Sequence, residues 1–149
     1  MKKALSLFLA AALCTGALAG CGGGSDANSG SDSATAFKIG GTGPLTGNTA
    51  IYGNAVKNGA QIAVDEINAE GGAIQFELKM EDDENDAEKA VSAYNALKDW
   101  GVQLSLGSVT TKPCEATATE NFADRIFALT PSASSTAVTE GKDNVFQMC

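Results

Sequence analysis

Residues 37–68 read FKIGGTGPLTGNTAIYGNAVKNGAQIAVDEIN, and this stretch decides the fold. Phe37 and Ile39 form a short apolar run that leads into the glycine-rich corner Gly40-Gly41-Thr42-Gly43-Pro44-Leu45-Thr46-Gly47. Beyond the corner, Tyr52, Ala55, Val56, Gly59, Ala60, Ala63 and Ile67 recur at helical spacing, with Lys57, Asn58, Asp65 and Glu66 on the opposite side. The pattern predicts a strand, a loop and an amphipathic helix that lays its apolar face on a sheet. Small residues at such a corner let another molecule approach the backbone, and the helix that follows points its unpaired N–H groups at whatever sits there. A site for something small and polar is the first expectation.

Working outward, Gly71-Gly72 stops the helix. Ile74, Phe76, Leu78 and Met80 then alternate with Gln75, Glu77 and Lys79, which predicts a second strand with one wetter face, near a sheet edge. After the acidic run Glu81 to Asp86, Asn85 and Glu88 make a capping box for a helix from Asp86 to about Asp99. Its core face is Ala87, Ala90, Val91, Tyr94 and Leu97, and Gly101 ends it. A third strand covers Val102 to Gly107 and runs into the corner Ser108-Val109-Thr110-Thr111, where Pro113 suits the first turn of a third helix reaching about Ala123. A fourth strand, Ile126 to Leu129, leads into Thr130-Pro131-Ser132-Ala133-Ser134-Ser135. A helical turn near Ser135 to Glu140 and a fifth strand, Asn144 to Met148, complete the pattern.

Strands alternating with helices through short links predict an α/β fold, a parallel sheet flanked by helices. Ligands of such sheets gather at the carboxyl ends of the strands. Three hydroxyl-rich loops meet that description: 41–52, 108–111 and 130–135. The last residue, Cys149, directly follows a strand, so the lobe is expected to be incomplete.

The 149 residues, 44% apolar and 19% charged, have the length and composition of one globular domain. The formal charge of −8 argues against nucleic acid, since no basic face is available to release counterions. No histidine is present, which removes the commonest general base, the commonest transition-metal ligand and any Ser-His-Asp triad. No metal or cofactor is expected, and no enzymatic activity.

Lys2 and Lys3 precede the apolar run Ala4 to Leu13, and Leu18-Ala19-Gly20-Cys21 follows. This order reads as a secretory signal peptide over residues 1–20, with a lipobox that makes Cys21 the lipidated first residue. As a helix, Ala4 to Gly20 would span only about 25 Å, short of the ~30 Å hydrocarbon core, which disfavours an uncleaved membrane helix. Acyl chains on Cys21 would anchor the protein at the outer face of the membrane or in the periplasm. Loss of the two lysines leaves 8 basic against 18 acidic residues, a net charge of −10. Residues 22–35 contain only Gly, Ser, Asp, Ala, Asn and Thr, so 21–35 is a flexible tether and 36–149 the folded part. With Cys14 in the signal and Cys21 lipidated, Cys114 and Cys149 remain, either as a pair or as two independent buried thiols.

Other site chemistries fit poorly. In Gly41-Thr42-Gly43-Pro44-Leu45-Thr46-Gly47 the third glycine comes one residue too late for a dinucleotide fingerprint, and Pro44 removes an N–H that a phosphate would use. The run Glu81 to Asp86 lacks the spacing of a calcium loop and reads as a solvated turn that complements a helix N-terminus. The hydroxyls of Thr110, Thr111, Ser132 and Ser134 fit two roles equally: binding the charged ends of a zwitterion, or ordinary helix capping by Thr111 and by Ser134 or Ser135.

Taken together, Gly43-Pro44-Leu45-Thr46-Gly47 with Tyr52-Gly53, Asn58-Gly59-Ala60, Asp65-Glu66-Ile67-Asn68-Ala69-Glu70-Gly71-Gly72, Asp82-Asp83 with Lys89-Ala90-Val91, and Thr130-Pro131-Ser132-Ala133-Ser134 resemble one family. It is the leucine/isoleucine/valine group of type I periplasmic binding proteins, the substrate-binding subunits of ABC importers. The resemblance runs from Phe37 to Cys149. It implies the N-terminal lobe of a two-lobed clamp, with flavodoxin-like strand order, that captures an amino acid, branched-chain first, and passes it to the permease subunits. Small amides as ligands, or a receptor's sensing domain of the same fold, are the alternatives. By the same resemblance Thr111 binds the ligand carboxylate, Ser132, Ala133 and Ser134 the head group, and Tyr52 packs on the side chain; Thr110 is counted with them as ligand-binding. A disulfide of the family would fall at Asn85 and Thr110, where no cysteine stands, so a Cys114–Cys149 bridge is expected instead. Contacts from a second lobe would lie beyond Cys149, so the chain alone is expected to bind weakly.

Overall fold

The computed structural model describes residues 36–148. The signal segment, Cys21 with its tether, and Cys149 lie outside the described residues. The elements are β1 (Phe37–Gly43), α1 (Ala50–Ala69), β2 (Phe76–Asp82), α2 (Ala87–Trp100), β3 (Leu104–Ser108), α3 (Thr111–Asp124), β4 (Phe127–Thr130), a short 3₁₀ turn (Thr136–Val138) and β5 (Val145–Gln147). All strand pairs are parallel, in the order β2-β1-β3-β4-β5. This is the flavodoxin-like order, in which the chain reverses direction across the sheet between β1 and β3. The alternating second strand does lie at the edge.

Period-two alternation assigns the two faces. Gly40 faces Leu97 and Val102, the α2 side, where any larger side chain would collide with them. Its neighbour Ile39 points the other way, into an apolar groove of about 240 Å³ that Val64 of α1 shares with Phe76, Leu78, Leu104 and Leu106. Helices α2 and α3 therefore cover one face together. Tyr94 donates to Asp124 Oδ2 at 3.0 Å, and Lys98 pairs with the same carboxylate at 2.6 Å. Burial, then the Asp124 contact, raise the Tyr94 pKa, while the bond from Lys98 holds Asp124 below its ordinary value. Beneath α3 lies the core of Cys114, Ala118, Ala128, Ala133, Val138 and Val145. Asn144 closes its far end, donating to the carbonyls of Asn121 (2.9 Å) and Ile126 (2.8 Å) and so tying β5 to the end of α3.

The opposite face is thinly covered. Helix α1 packs chiefly on β1 and β2, and over β4 and β5 the half-exposed rings of Phe127 and Phe146 stack at 5.1 Å. The expected packing face of α1 is only partly covered: Ala60, Ala63 and Ile67 line the groove with Val64, and Gly53 and Val64 are the buried residues of the helix, while Tyr52 is 61% and Ile67 47% exposed. The helix meets the corner most closely at its first turn. A Cβ on Gly53 would stand 2.1 Å from the Pro44 carbonyl oxygen, so the helix start is pressed onto the corner and the rest lies over the sheet edge.

Local signals resolve differently in two places. Strand β1 runs through the glycines to Gly43, because each glycine of the corner's first half packs under a side chain of the next layer. The cap of α2 is Asp86, whose Oδ1 accepts from the N–H groups of Glu88 (3.0 Å) and Lys89 (2.9 Å), whereas Asn85 sits in a left-handed turn at φ 63°. The expected Cys114–Cys149 bridge falls on Cys149, which lies outside the described residues; Cys114 itself is buried in the core below α3.

Gly53→Ala is expected to cost about 3 kcal/mol in urea unfolding, because the obstructing atoms belong to backbone. A loss below about 0.5 kcal/mol would show that α1 can retreat from the corner freely.

Candidate functional site

The carboxyl ends of β1, β3 and β4 meet at a bulge. Between Gly40↔Ser105 and Thr42↔Ser108, strand β3 advances one residue more than β1. Gly107 takes up the extra residue at φ 53°, packed so closely on Thr130 that a Cβ would lie 3.0 Å from its Cα. The bulge turns Ser108 inward, so that its hydroxyl meets that of Thr42 at 2.5 Å and that of Thr117 at 3.0 Å. Thr130 adds a third strand to this buried cluster by donating to the Ser108 carbonyl at 2.8 Å and accepting from the Ala133 N–H at 3.2 Å.

Above this floor opens a cleft of about 300 Å³ lined by Tyr52, Val109, Thr110, Thr111 and Ser132. Thr110 is the N-cap of α3, yet its side chain makes no capping bond, and its buried Oγ1 has no hydrogen-bond partner among the described residues. The first N–H groups of a helix lack intrahelical acceptors, and here they point at the cleft with the positive end of the helix dipole. Ser132 Oγ donates to the Val109 carbonyl at 2.5 Å, which ties the loop after β4 to the loop after β3. The Ser134 N–H makes a long contact of 3.4 Å to Thr111 Oγ1.

Of the residues expected from sequence, Tyr52, Thr110, Thr111 and Ser132 share this cleft. Ala133 is fully buried beneath it, and Ser134 stands at its rim through Thr111. Thr111 is the first residue of α3 and not its cap, and Ser135 caps the 3₁₀ turn. Val109 escaped the sequence reading, since an apolar residue between hydroxyls carries no signal of its own. The acidic turn was also read too uniformly. Asp83 is fully buried, with Oδ1 accepting from the Asn85 N–H at 2.8 Å and Oδ2 without a hydrogen-bond partner among the described residues. Burial raises its pKa above the ordinary 3.8, against the pull of Asn85 and Thr42 and with help from Asp82 and Asp86. Burial likewise pushes the Cys114 thiol up, so it is a poor nucleophile.

Residues 36–149 match the periplasmic binding protein family. The chain belongs to that family. It is 37% identical over 109 residues to the Leu/Ile/Val-binding protein BraC3 of Rhizobium johnstonii, covering 71% of this chain and 30% of that protein. Likewise, it is 34% identical over 109 residues to the leucine-, isoleucine-, valine-, threonine- and alanine-binding protein of Pseudomonas aeruginosa, covering 71% and 29%. Among solved structures it resembles the branched-chain amino acid transporter substrate-binding protein LivJ of Streptococcus pneumoniae in complex with isoleucine, at a TM-score of 0.70 and 32% identity, over 75% of this chain and 33% of that one. A solute-binding protein of an ABC transporter from Rhodopseudomonas palustris in complex with benzoate shares the fold at a TM-score of 0.66 and 24% identity, over 75% of this chain and 32% of that one. The chain thus spans about a third of the length of the relatives it matches.

A carboxyl whose folded pKa is raised binds its proton more tightly folded than unfolded. Its contribution to stability is present below the unfolded value near 3.8 and is lost as pH rises through the folded pKa. Asp83→Asn removes that loss, so the variant is expected to be more stable than the parent by about 1 kcal/mol at pH 7, with the gap closing towards pH 4. A gap of the opposite sign at pH 7 in thermal unfolding would contradict the buried, unpaired charge.

Proposed function

We propose that this chain supplies the first lobe of a substrate-binding lipoprotein of an ABC importer, which captures an amino acid, most specifically a branched-chain one, outside the cell. The ligand carboxylate lies at the N-terminus of α3 against Thr110 and Thr111. Its head group meets the loop of Ser132, Ala133 and Ser134, and its side chain packs on Tyr52. The observation that carries this reading is the Thr110 hydroxyl, buried at the cleft without a hydrogen-bond partner while the helix start beside it lacks a side-chain cap. A helix that is not capped by its own chain favours an anionic guest, and a carboxylate offers the acceptors that the hydroxyl and N–H groups need. No cationic side chain lines the cleft, so a zwitterion suits it better than a dianion such as phosphate. The relatives named for leucine, isoleucine and valine support the same ligand class.

Capture proceeds by docking on this lobe and closure of a second one, the ligand favouring the closed state because it touches both. Delivery is to the permease subunits. Signal cleavage after Gly20 and lipidation of Cys21 hold the protein at the outer face of the membrane, with residues 22–35 as the tether. Ligand release and transport need no chemistry from the chain, in keeping with a cleft of hydroxyls and one phenol.

Titration of the isotope-labelled chain with L-leucine is expected to shift the amide signals of Thr110, Thr111, Lys112 and Ser132 to Ser134, with a dissociation constant of roughly a millimolar, as suits half a site. The Thr111→Val variant is expected to weaken binding by about tenfold. Shifts confined to other surfaces, or none, would refute the reading.

A further inference from the structure

The corner that carries Tyr52 does not hold itself in place. Residues Pro44 to Thr49 leave β1 at its carboxyl end and enter α1, and the hydrogen bonds that fix them come from the acidic turn after β2. Asp82 Oδ1 accepts from the Leu45 N–H at 2.8 Å, and Oδ2 from the Thr46 hydroxyl at 2.5 Å. From the other side Asn54 Nδ2 donates to the Leu45 carbonyl at 3.0 Å and to the Ala50 carbonyl at 2.9 Å. Leu45 is thus gripped at both of its backbone polar groups, by a strand end and by the helix it introduces. One turn further, Tyr52 projects into the cleft.

The turn behind Asp82 is strained. Glu84 at φ 48° and Asn85 at φ 63° are consecutive non-glycine residues in the left-handed region, a conformation that persists only where its surroundings enforce it. Here the carboxylates enforce it: Asp82 Oδ1 also accepts from the Glu84 N–H at 2.9 Å, and Asp83 Oδ1 takes the Asn85 N–H. The same Asp82 oxygen therefore serves the strained turn and the Tyr52 corner at once. Burial acts to raise the Asp82 pKa, but the bonds from Thr46, Glu84 and Leu45 outweigh it, and the group stays ionised through the neutral range.

We infer that Asp82 is a positioning residue for ligand recognition: by clamping Leu45 and Thr46 to the end of β2 it sets where Tyr52 stands in the cleft, and so the room left for the ligand side chain. It rests on the cleft being the amino-acid site. Asp82 touches no ligand in this arrangement. It acts through the corner, so its loss matters for a ligand whose side chain reaches Tyr52 and not for one whose side chain is a methyl group.

Two measurements on the full chain test this. In hydrogen exchange, Asp82→Ala and the milder Thr46→Val are expected to raise exchange across residues 44–52 by about tenfold, with β3 and β4 unchanged, while Asp82→Asn, which keeps an acceptor for Leu45, lies between. In titrations followed by amide shifts, Asp82→Ala is expected to weaken L-leucine by about tenfold and L-alanine by less than about twofold. Unchanged exchange at 44–52, or equal loss for both ligands, would overturn the inference, the second outcome marking general destabilisation. An unaltered chain whose cleft amides respond to neither amino acid would instead overturn the amino-acid site itself and with it the ligand-dependent part, leaving the exchange result to decide the clamp.

Discussion

The contact between the hydroxyls of Thr42 and Ser108 is the point on which the site depends. It joins the carboxyl ends of the two central strands at the place where a bulge, allowed only by glycine at position 107, has shifted their register. Without the bulge, alternation would turn Ser108 to the other face of the sheet, and the next residues, Val109 to Thr111, would leave the strand in another direction. With it, the loop after β3 stands between the corner of Tyr52 and the loop after β4. Hydroxyl groups suit this junction because each can donate and accept, so Thr42, Ser108, Thr117 and Thr130 each find a partner within the buried cluster.

The electrostatics follow from where charge is kept. Acidic side chains crowd the turn after β2, where Asp82 accepts from backbone and hydroxyl donors and Asp86 caps a helix start. The cleft itself has the positive end of α3, hydroxyls and an aromatic wall. That combination favours a reversibly held anion, in keeping with the proposed capture. The free side of the sheet follows another logic. Parallel sheets are ordinarily covered on both faces, yet Phe127 and Phe146 are half-exposed over β4 and β5 among the described residues.

Much of this was legible in the sequence, for physical reasons that differ by element. The helix from Ala87 announced itself through its apolar period and the stop at Gly101, which takes the left-handed conformation its position demands, and the helix from Thr111 through Pro113 in its first turn. Strand order came only with the family resemblance, since pairing partners leave no local mark. The grouping of Tyr52, Thr110, Thr111 and Ser132 was expected from strand ends alone, because a parallel sheet sends every such end to one edge. What stayed hidden was tertiary. No periodicity tells that α1 would press Gly53 against the corner and leave Tyr52 and Ile67 half-exposed, or that of two adjacent aspartates Asp82 would bond to a loop while Asp83 is buried.

The most direct test is a crystal structure of the protein grown with L-leucine. The account places the ligand carboxylate within hydrogen-bond distance of Thr110 and Thr111, the head group beside Ser132, and the isobutyl group against Tyr52. Leucine seated elsewhere, for instance in the apolar groove beneath α1 beside Val64 and Leu106, with the Thr110 hydroxyl paired to the protein's own atoms, would contradict it.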